Sequence, residues 1–280
     1  MRKINWQASV FSCLLGGCLW GLTACENDLF TKEVNNAKIP YTPGLVVESF
    51  ICPQDTVIQV KVRRKEPTVG IVEEGKDKYD AVADAQVTLS DGSNTVTLAY
   101  DKFLGYQIKA SQLPISPGKT YFLKVSSPDG LSTEASCTVP MAVVDTNRVE
   151  LLVEFDKKKQ PKIIVRWPDF PGEVNYYSIF ELETYAASNL HELRYYSISD
   201  EGQDGAWLSQ RVGFKRSEAG YEVVLFICNT DRHYYEFHRT LAIQAQNRDN
   251  PFAQPSPLYT NIQGGLGVFA AYNRAALSIE

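Results

Sequence analysis

The sequence predicts a mostly β protein, with an N-terminal antiparallel sandwich of immunoglobulin or transthyretin type and a second β-rich domain that contains one α-helix. Short runs of β-branched and aromatic residues recur along the chain, separated by Gly, Pro and Asp-Gly turn signals. Helical periodicity is convincing only near residues 231–247. The 44% apolar content is ample for a packed core, and the length of 280 residues favours two domains.

The first predicted domain covers residues 45–140 and contains about seven short strands. Apolar and polar residues alternate most regularly at 56–62. Asp91-Gly92 is a hairpin signal between runs at 85–89 and 95–98. Residues 67–80 carry glycines and many charges and are predicted to form a long loop. Further strands are predicted at 45–51, 105–108, 121–125 and 132–139.

The second predicted domain covers residues 146–280, after a boundary in the stretch that follows Pro140. Thr230 or Asp231 can cap its helix, and Asn250-Pro251 ends it. The apolar face of the helix combines Tyr234, Phe237, His238, Leu241 and Ala245. Strands are predicted near 148–155, 161–167, 175–182, 193–199 and 221–228, with short β-like runs at 258–262 and 268–272.

Residues 1–24 are typical of a bacterial signal peptide. Arg2 and Lys3 precede an apolar run at 10–22, which is shorter than the roughly 20 residues that a membrane-spanning helix needs. An uncleaved N-terminal anchor is the alternative. Cleavage of residues 1–24 takes away two positive charges and changes the net charge of the chain from −5 to −7. A mildly acidic body is a poor nucleic-acid ligand, because phosphate binding needs clustered lysines and arginines.

Leu22-Thr23-Ala24-Cys25 matches a lipobox, the signal for cleavage and acylation of the new N-terminal cysteine. We therefore expect Cys25 to carry the covalent lipid and residues 25–44 to form a polar tether. Cys18 ends a rival lipobox, but its use would leave an apolar start to the mature chain.

The three other cysteines of the mature chain are an odd number. Cys52 and Cys137 lie in predicted strands near the two ends of the first domain and could form a disulfide in an oxidising compartment. Two buried free thiols are the alternative. Cys228 is expected to be a small core residue.

No catalytic constellation is present in the sequence, so we expect a non-enzymatic protein with no cofactor and no metal site. His233 and His238 are five residues apart, which does not place two zinc ligands on one helix face. The nucleophile elbow of hydrolases, Gly-x-Ser-x-Gly, does not occur. The acidic loop 200–205 could hold calcium through oxygen ligands, but a solvated loop is the simpler interpretation. The glycines at 264–267 indicate a tight turn rather than a phosphate-binding loop.

Ten of the 15 tyrosines lie after residue 147. Rigid, amphipathic tyrosine rings favour recognition surfaces, although sheets also favour tyrosine. Adjacent tyrosines in a strand face opposite sides, so some rings must face outward. The candidate binding residues are Tyr176, Tyr177, Tyr195, Tyr196, Tyr234 and Tyr235.

The tail carries Asn-Pro-Phe-Ala-Gln-Pro at 250–255 and Tyr-Thr-Asn-Ile-Gln-Gly-Gly-Leu-Gly-Val-Phe at 259–269. Together with the opening at 45–48, the Asn-Tyr-Tyr strand at 175–177 and the aromatic helix, this tail resembles a Bacteroidota lipoprotein family, the domain of unknown function 4249. The resemblance covers roughly residues 25–272. It implies an outer-membrane lipoprotein, often associated with TonB-dependent transporters, and it supplies no catalytic residues.

The leader and the resemblance together predict a lipid-anchored outer-membrane protein at the cell surface. The acidic residues after Cys25 are similar to signals that send such lipoproteins there. We expect an accessory or ligand-binding component of a TonB-dependent nutrient uptake system, in which the second domain contacts a β-barrel transporter. A structural or adhesin sandwich protein of a surface assembly is the alternative. A hydrolase would require a clustered Ser/His/Asp geometry.

Overall fold

The computed structural model describes residues 42–65, 81–155, 161–185, 191–213, 221–247, 254 and 256–278. The predicted signal peptide, Cys25, nearly all of the tether and the predicted loop at 67–80 lie outside the described residues.

The first half of the described chain is built from short strands. They are β1 (Leu45–Ile51), β2 (Val57–Arg64), β3 (Gln86–Ser90), β4 (Thr95–Thr97), β5 (Ala99–Asp101), β6 (Gly105–Lys109), β7 (Thr120–Ser126) and β8 (Ser132–Thr138). Alternating burial along β7 and β8 shows that each strand turns one face to a core. The Asp91-Gly92 turn joins β3 to β4 as predicted, because the Asp91 carboxylate accepts hydrogen bonds from the N–H groups of Ser93 and Asn94 at 3.0 and 2.7 Å.

The second half adds more strands and a helix. They are β9 (Glu150–Phe155), β10 (Pro161–Pro168), β11 (Tyr176–Tyr185), β12 (His191–Ser199), β13 (Trp207–Gly213), β14 (Tyr221–Thr230), α1 (Arg232–Asn247) and β15 (Leu266–Ser278). Asp231 caps helix α1, since its Oδ1 accepts the backbone N–H of Tyr234 at 2.8 Å. The predicted helix is confirmed, with Asp231 rather than Thr230 as its cap.

Eight strands form one large sheet in the order β12-β11-β14-β15-β1-β2-β6-β5. The last strand, β15, lies inside this sheet and pairs antiparallel with β14 and parallel with β1. Two smaller antiparallel sheets have the orders β4-β3-β7-β8 and β13-β10-β9.

The two smaller sheets pack on the large sheet through two hydrophobic cores. The first core joins β1, β2, β6 and β15 to β3, β7 and β8, and it encloses Tyr106 and Tyr121. The second core joins β11 and β14 to β10 and β13, and it encloses Trp167 and Tyr177. The fold therefore consists of two sandwiches that share one large sheet.

Helix α1 packs on the large sheet through a third cluster of side chains. Phe50 and Val268 alternate along their strands with residues of the first core, so they face the opposite side of the sheet. There they meet Tyr234 and Phe237 of the helix. The helix thus covers the face that the smaller sheets leave open.

The predicted class, mostly β with antiparallel sandwiches and one helix, is confirmed. The division at 45–140 and 146–280 stays a prediction. Strand β15, from the second predicted domain, pairs with β1 of the first and with β14 of the second. Three local details differ from prediction. Residues 258–262 are not a strand, and β5 and β13 have no counterparts among the predicted strands.

Candidate functional site

Three of the six candidate tyrosines belong to hydrophobic clusters rather than to an open surface. Tyr177 lies in the second core and Tyr234 lies under helix α1, and both are buried. Tyr196 is partly buried and packs on the second core. These three rings contribute to packing. This is the alternative to a recognition role, and it follows from the ordinary preference of β-sheets for tyrosine.

The other three candidate tyrosines reach solvent on the helix side of the large sheet. The rings of Tyr176 and Tyr235 lie 4.8 Å apart, and both residues are partly exposed. Tyr195 is 44% exposed and lies 4.7 Å from the ring of His238. Strand alternation separates Tyr176 from Tyr177 and Tyr195 from Tyr196 as predicted.

A cleft of about 360 Å³ lies at the N-terminal end of helix α1. Its lining combines exposed apolar residues, Met141 and Val174, with the oppositely charged Glu173 and Arg232. We call this feature the helix cleft, and its lining residues are Gly118, 138–142, 170, 173–176 and 229–232. Tyr176 is the candidate tyrosine that lines it, so the structure brings one predicted residue to a concave surface.

Hydrogen bonds hold the walls of the helix cleft in place. The Asn229 side chain donates to the carbonyl oxygen of Ala142 at 3.1 Å. Asp231 Oδ2 accepts the backbone N–H of Ala271 at 3.1 Å, which ties the helix cap to β15. Exclusion of water raises the pKa of Asp231 to about 7, while backbone hydrogen bonds to its carboxylate act in the opposite direction.

Three aspartates, Asp169, Asp200 and Asp204, form a second feature that we call the acidic cluster. One carboxylate oxygen from each residue lies within 4.8 Å of the others. Asp169 directly follows β10, whereas the other two lie in the turn between β12 and β13. The predicted loop 200–205 therefore supplies two members, and a residue from a distant part of the sequence supplies the third.

Hydrogen bonds from neighbouring groups orient Asp169. Its Oδ1 accepts the hydroxyl of Tyr177 at 2.6 Å, and its Oδ2 accepts the backbone N–H of Gly205 at 2.7 Å. Asp204 Oδ1 accepts the backbone N–H of Gly172 at 2.8 Å. These bonds connect the loop after β10 to the turn before β13.

Asp200 differs from its two neighbours. It is 1% exposed, and neither of its carboxylate oxygens accepts a well-aligned hydrogen bond within the described part of the chain. Burial raises its pKa, the nearby backbone N–H of Asn175 opposes this, and the charges of Asp169 and Asp204 raise the pKa further. A buried carboxylate without donors is costly in an apolar setting, so this side chain calls for a compensating charge or proton.

The cysteines adopt the alternative arrangement. Cys52 and Cys137 are buried free thiols, so the predicted disulfide between them is not formed. The Cys52 thiol donates to Gln54 Oε1 at 2.7 Å, and burial raises its pKa to about 11. Cys228 is fully buried, as expected for a small core residue.

The two histidines of helix α1 have separate partners. His233 Nδ1 lies 2.7 Å from the hydroxyl of Tyr259, and His238 Nδ1–H donates to the carbonyl oxygen of Tyr234 at 3.0 Å. Neither histidine belongs to the acidic cluster, whose three members are all aspartates.

Among the described residues, no helix combines the length and the apolar character that crossing a membrane requires. No curated protein matches the chain in sequence. A family model for a domain of unknown function, DUF4249, matches residues 29–278. The chain belongs to the DUF4249 family. The resemblance seen in the tail and the central strands is thereby confirmed for nearly the whole chain.

Several solved structures show distant similarity to this DUF4249 chain. A chain of a cytokine receptor complex is 9% identical, with 84% of this chain and 95% of that chain covered and a TM-score of 0.23. The FN1-FN3 domains of chicken CNTN1 are 14% identical, with coverages of 66% and 63% and a TM-score of 0.24. The chicken interferon gamma receptor alpha chain is 10% identical, with coverages of 68% and 88% and a TM-score of 0.20.

Proposed function

We propose that the protein is a non-enzymatic, lipid-anchored lipoprotein of the outer membrane that acts as an accessory or ligand-binding component of a TonB-dependent nutrient uptake system. The helix cleft is the observation that supports a binding role best. It combines a concave shape, exposed apolar side chains and a few polar groups, which is the usual composition of a recognition site. The lipobox at Cys25 supports the membrane anchor.

The helix cleft and its surroundings fit a protein partner. Met141 and Val174 are 74% and 56% exposed, and exposed apolar residues beside opposite charges are typical of a protein contact. Tyr176 lines the helix cleft, and its ring lies 4.8 Å from that of Tyr235, so rigid rings are present there at low entropic cost. The proposed partner is a β-barrel transporter in the same membrane.

Purification of the full-length, acylated protein from its own membranes in a mild detergent tests this proposal. We expect a β-barrel transporter to co-purify in stoichiometric amount and to be identified by mass spectrometry. Recovery of a lone monomer under these conditions would contradict the transporter partnership.

Metabolic labelling with radioactive palmitate tests the anchor separately. Cys25→Ala is expected to abolish incorporation and to leave the leader uncleaved or the protein outside the membrane fraction. Cys18→Ala is the matched control and is expected to label like the wild type. Unchanged labelling of Cys25→Ala would show that the lipid is attached elsewhere.

A structural or adhesin role in a surface assembly is the second candidate, and strand β9 favours it. This strand lies at the edge of the sheet β13-β10-β9, and all six of its residues are exposed. Val153 and Phe155 are 60% and 69% exposed, so the edge is open and apolar. Val153→Pro should abolish any self-association seen by light scattering and leave transporter recovery unchanged if the edge serves assembly.

A further inference from the structure

We propose that Asp169, Asp200 and Asp204 form a binding site for a divalent cation of the calcium class. The site lies where β10 and β12 end and where the turn into β13 begins. Its three carboxylates approach one another within 4.8 Å, which lets one ion contact an oxygen from each. This site lies outside the lining of the helix cleft.

The buried state of Asp200 is the observation that separates this site from an ordinary acidic loop. The residue is 1% exposed, and neither carboxylate oxygen accepts a well-aligned hydrogen bond from the described protein, although the Asn175 backbone N–H lies near enough to favour the charged form. A carboxylate removed from water needs a hydrogen-bond donor, a cationic partner or a metal ion. The neighbouring groups are two further carboxylates, so a cation satisfies all three at once.

The other two aspartates are oriented as metal ligands usually are. Donors fix both oxygens of Asp169 and one oxygen of Asp204, namely Tyr177, Gly205 and Gly172. Each carboxylate oxygen accepts more than one contact, so these bonds leave lone pairs for an ion. Such supporting bonds hold the ligand side chains in place before the ion arrives.

The ligand set favours calcium over zinc or magnesium. The cluster offers carboxylate oxygens and no histidine or cysteine, whereas zinc sites in proteins draw most of their ligands from histidine nitrogen and cysteine sulfur. Calcium accepts six to eight oxygens in irregular geometry and takes carbonyls and water to complete its shell. We expect the affinity of weak extracellular sites, with a Kd of about 10⁻⁴–10⁻³ M.

The cation site also bears on the helix cleft, because the two features share a loop. Asp169 begins the connection between β10 and β11, and its later residues Glu173 and Val174 line the helix cleft. Asp200 N–H donates to the carbonyl oxygen of Asn175 at the far end of the same connection. A bound ion would therefore fix both ends of the loop that forms one wall of the helix cleft.

Calcium titration of the detergent-solubilised, full-length protein after treatment with EDTA tests the site. We expect a saturable calorimetric signal and a rise in Tm with calcium, and a smaller rise with magnesium at the same concentration. A flat calorimetric trace and an unchanged Tm up to about 10 mM calcium would overturn the proposal.

Two variants and a matched control identify the ligands. Asp200→Asn should lose the calcium-dependent rise in Tm and should melt in EDTA no lower than the wild type, because it removes an unpaired buried charge. Glu201→Gln changes an exposed acid next to it and should keep the full response. Should Asp200→Asn fail to fold, Asp204→Asn at the exposed edge of the cluster is expected to raise the Kd about tenfold or more.

The competing explanation of the cluster is a proton shared between Asp200 and Asp169. It predicts that the wild type gains stability relative to Asp200→Asn as the pH falls and that calcium has no effect on the wild-type Tm at neutral pH. That pair of results would overturn the cation site.

Discussion

At the residue scale, Gly267 of β15 lies directly against the backbone of Val47 in β1. Its φ is +107°, and a Cβ atom built there would lie 2.0 Å from the carbonyl oxygen of Val47. A side chain would therefore meet both a strained backbone and a rigid neighbour. The glycines at 264, 265 and 267 let the start of the tail strand approach neighbouring backbone closely.

Gly267→Ala should lower the free energy of unfolding by more than about 3 kcal/mol or prevent folding, because the backbone of β1 would have to move. Gly130→Ala is the matched control, with φ of +86° and no atom within 4 Å of the added Cβ. It should cost about 1 kcal/mol. Equal effects of the two substitutions in urea unfolding would contradict the close approach.

His238 is enclosed by aromatic rings. The ring centres of Phe50, Tyr195, Tyr234 and Phe237 lie 5.2, 4.7, 4.2 and 5.5 Å from that of His238. Burial lowers the pKa of His238 from 6.5 to about 4, which the hydrogen bond to Tyr234 only partly opposes. Between these pH values the unfolded chain binds more protons than the folded one, so stability falls as the pH decreases.

His238→Leu should remove this part of the acid sensitivity. Between about pH 6.5 and about pH 4 the wild type should lose up to about 3 kcal/mol more stability than the variant. Urea unfolding of both proteins at several pH values measures the difference. Parallel pH profiles would show that His238 is not titrated differently by folding.

At the element scale, the segment before β15 fastens the tail to its neighbours through Asn261. Its side-chain N–H groups donate to the carbonyl oxygens of Ser136 and Phe269 at 3.2 and 2.8 Å. Its Oδ1 accepts the N–H of Phe269 at 3.0 Å. A side chain thus bridges β8 and β15, which explains why residues 258–262 need no strand pairing of their own.

Asn261→Ala should lower the free energy of unfolding by about 2–3 kcal/mol, since three hydrogen bonds are lost and Phe269 keeps unpaired backbone groups. Asn147→Ala removes an exposed side chain that bonds only to nearby Asp145, and it should cost less than about 0.5 kcal/mol. Chemical denaturation measures both. A cost near zero for Asn261→Ala would contradict its bridging role.

Local signals predicted the elements that depend on local chemistry. Asp91-Gly92 forms its turn and Asp231 caps its helix through bonds to residues two or three positions away. Strand β13 is harder to predict because Gln210 interrupts its inward-facing series between Leu208 and Val212. Alternation is the main strand signal, and one polar residue weakens it.

The features that could not be predicted from the sequence depend on contacts between residues far apart in the chain. The parallel pairing of β1 with β15 joins the first and last of the described strands, and no local pattern encodes it. In the acidic cluster, the loop 200–205 was identifiable as a candidate oxygen site, whereas Asp169 joins it only through the fold. Tyr177 and Tyr234 are core residues, whereas the sequence offered them as candidate binding residues. The sequence could not separate the two roles, because tyrosine is common both in packed sheets and on recognition surfaces.

At the scale of the whole molecule, the shared sheet makes the two sandwiches interdependent. The first core includes Ile262, Phe269 and Ala271 from the tail, and β1 would become an unpaired edge without β15. We therefore expect the mature chain 25–280 to unfold in one cooperative transition. The fragment 25–140 should show no cooperative urea transition by circular dichroism, and a peptide of residues 256–280 should partly restore it. A fragment as stable as the mature chain would contradict this dependence.

The central functional claim is that the helix cleft binds a transporter partner, and a comparison of two charge substitutions tests it most directly. Val174→Asp places a charge in the lining of the helix cleft, whereas Phe103→Asp places one at an 89% exposed residue in the turn between β5 and β6. Co-purification from the native membrane in mild detergent measures how much partner each retains. We predict that Val174→Asp loses partner by about tenfold or more and that Phe103→Asp retains it at the wild-type level. Wild-type recovery of the partner with Val174→Asp would contradict the claim.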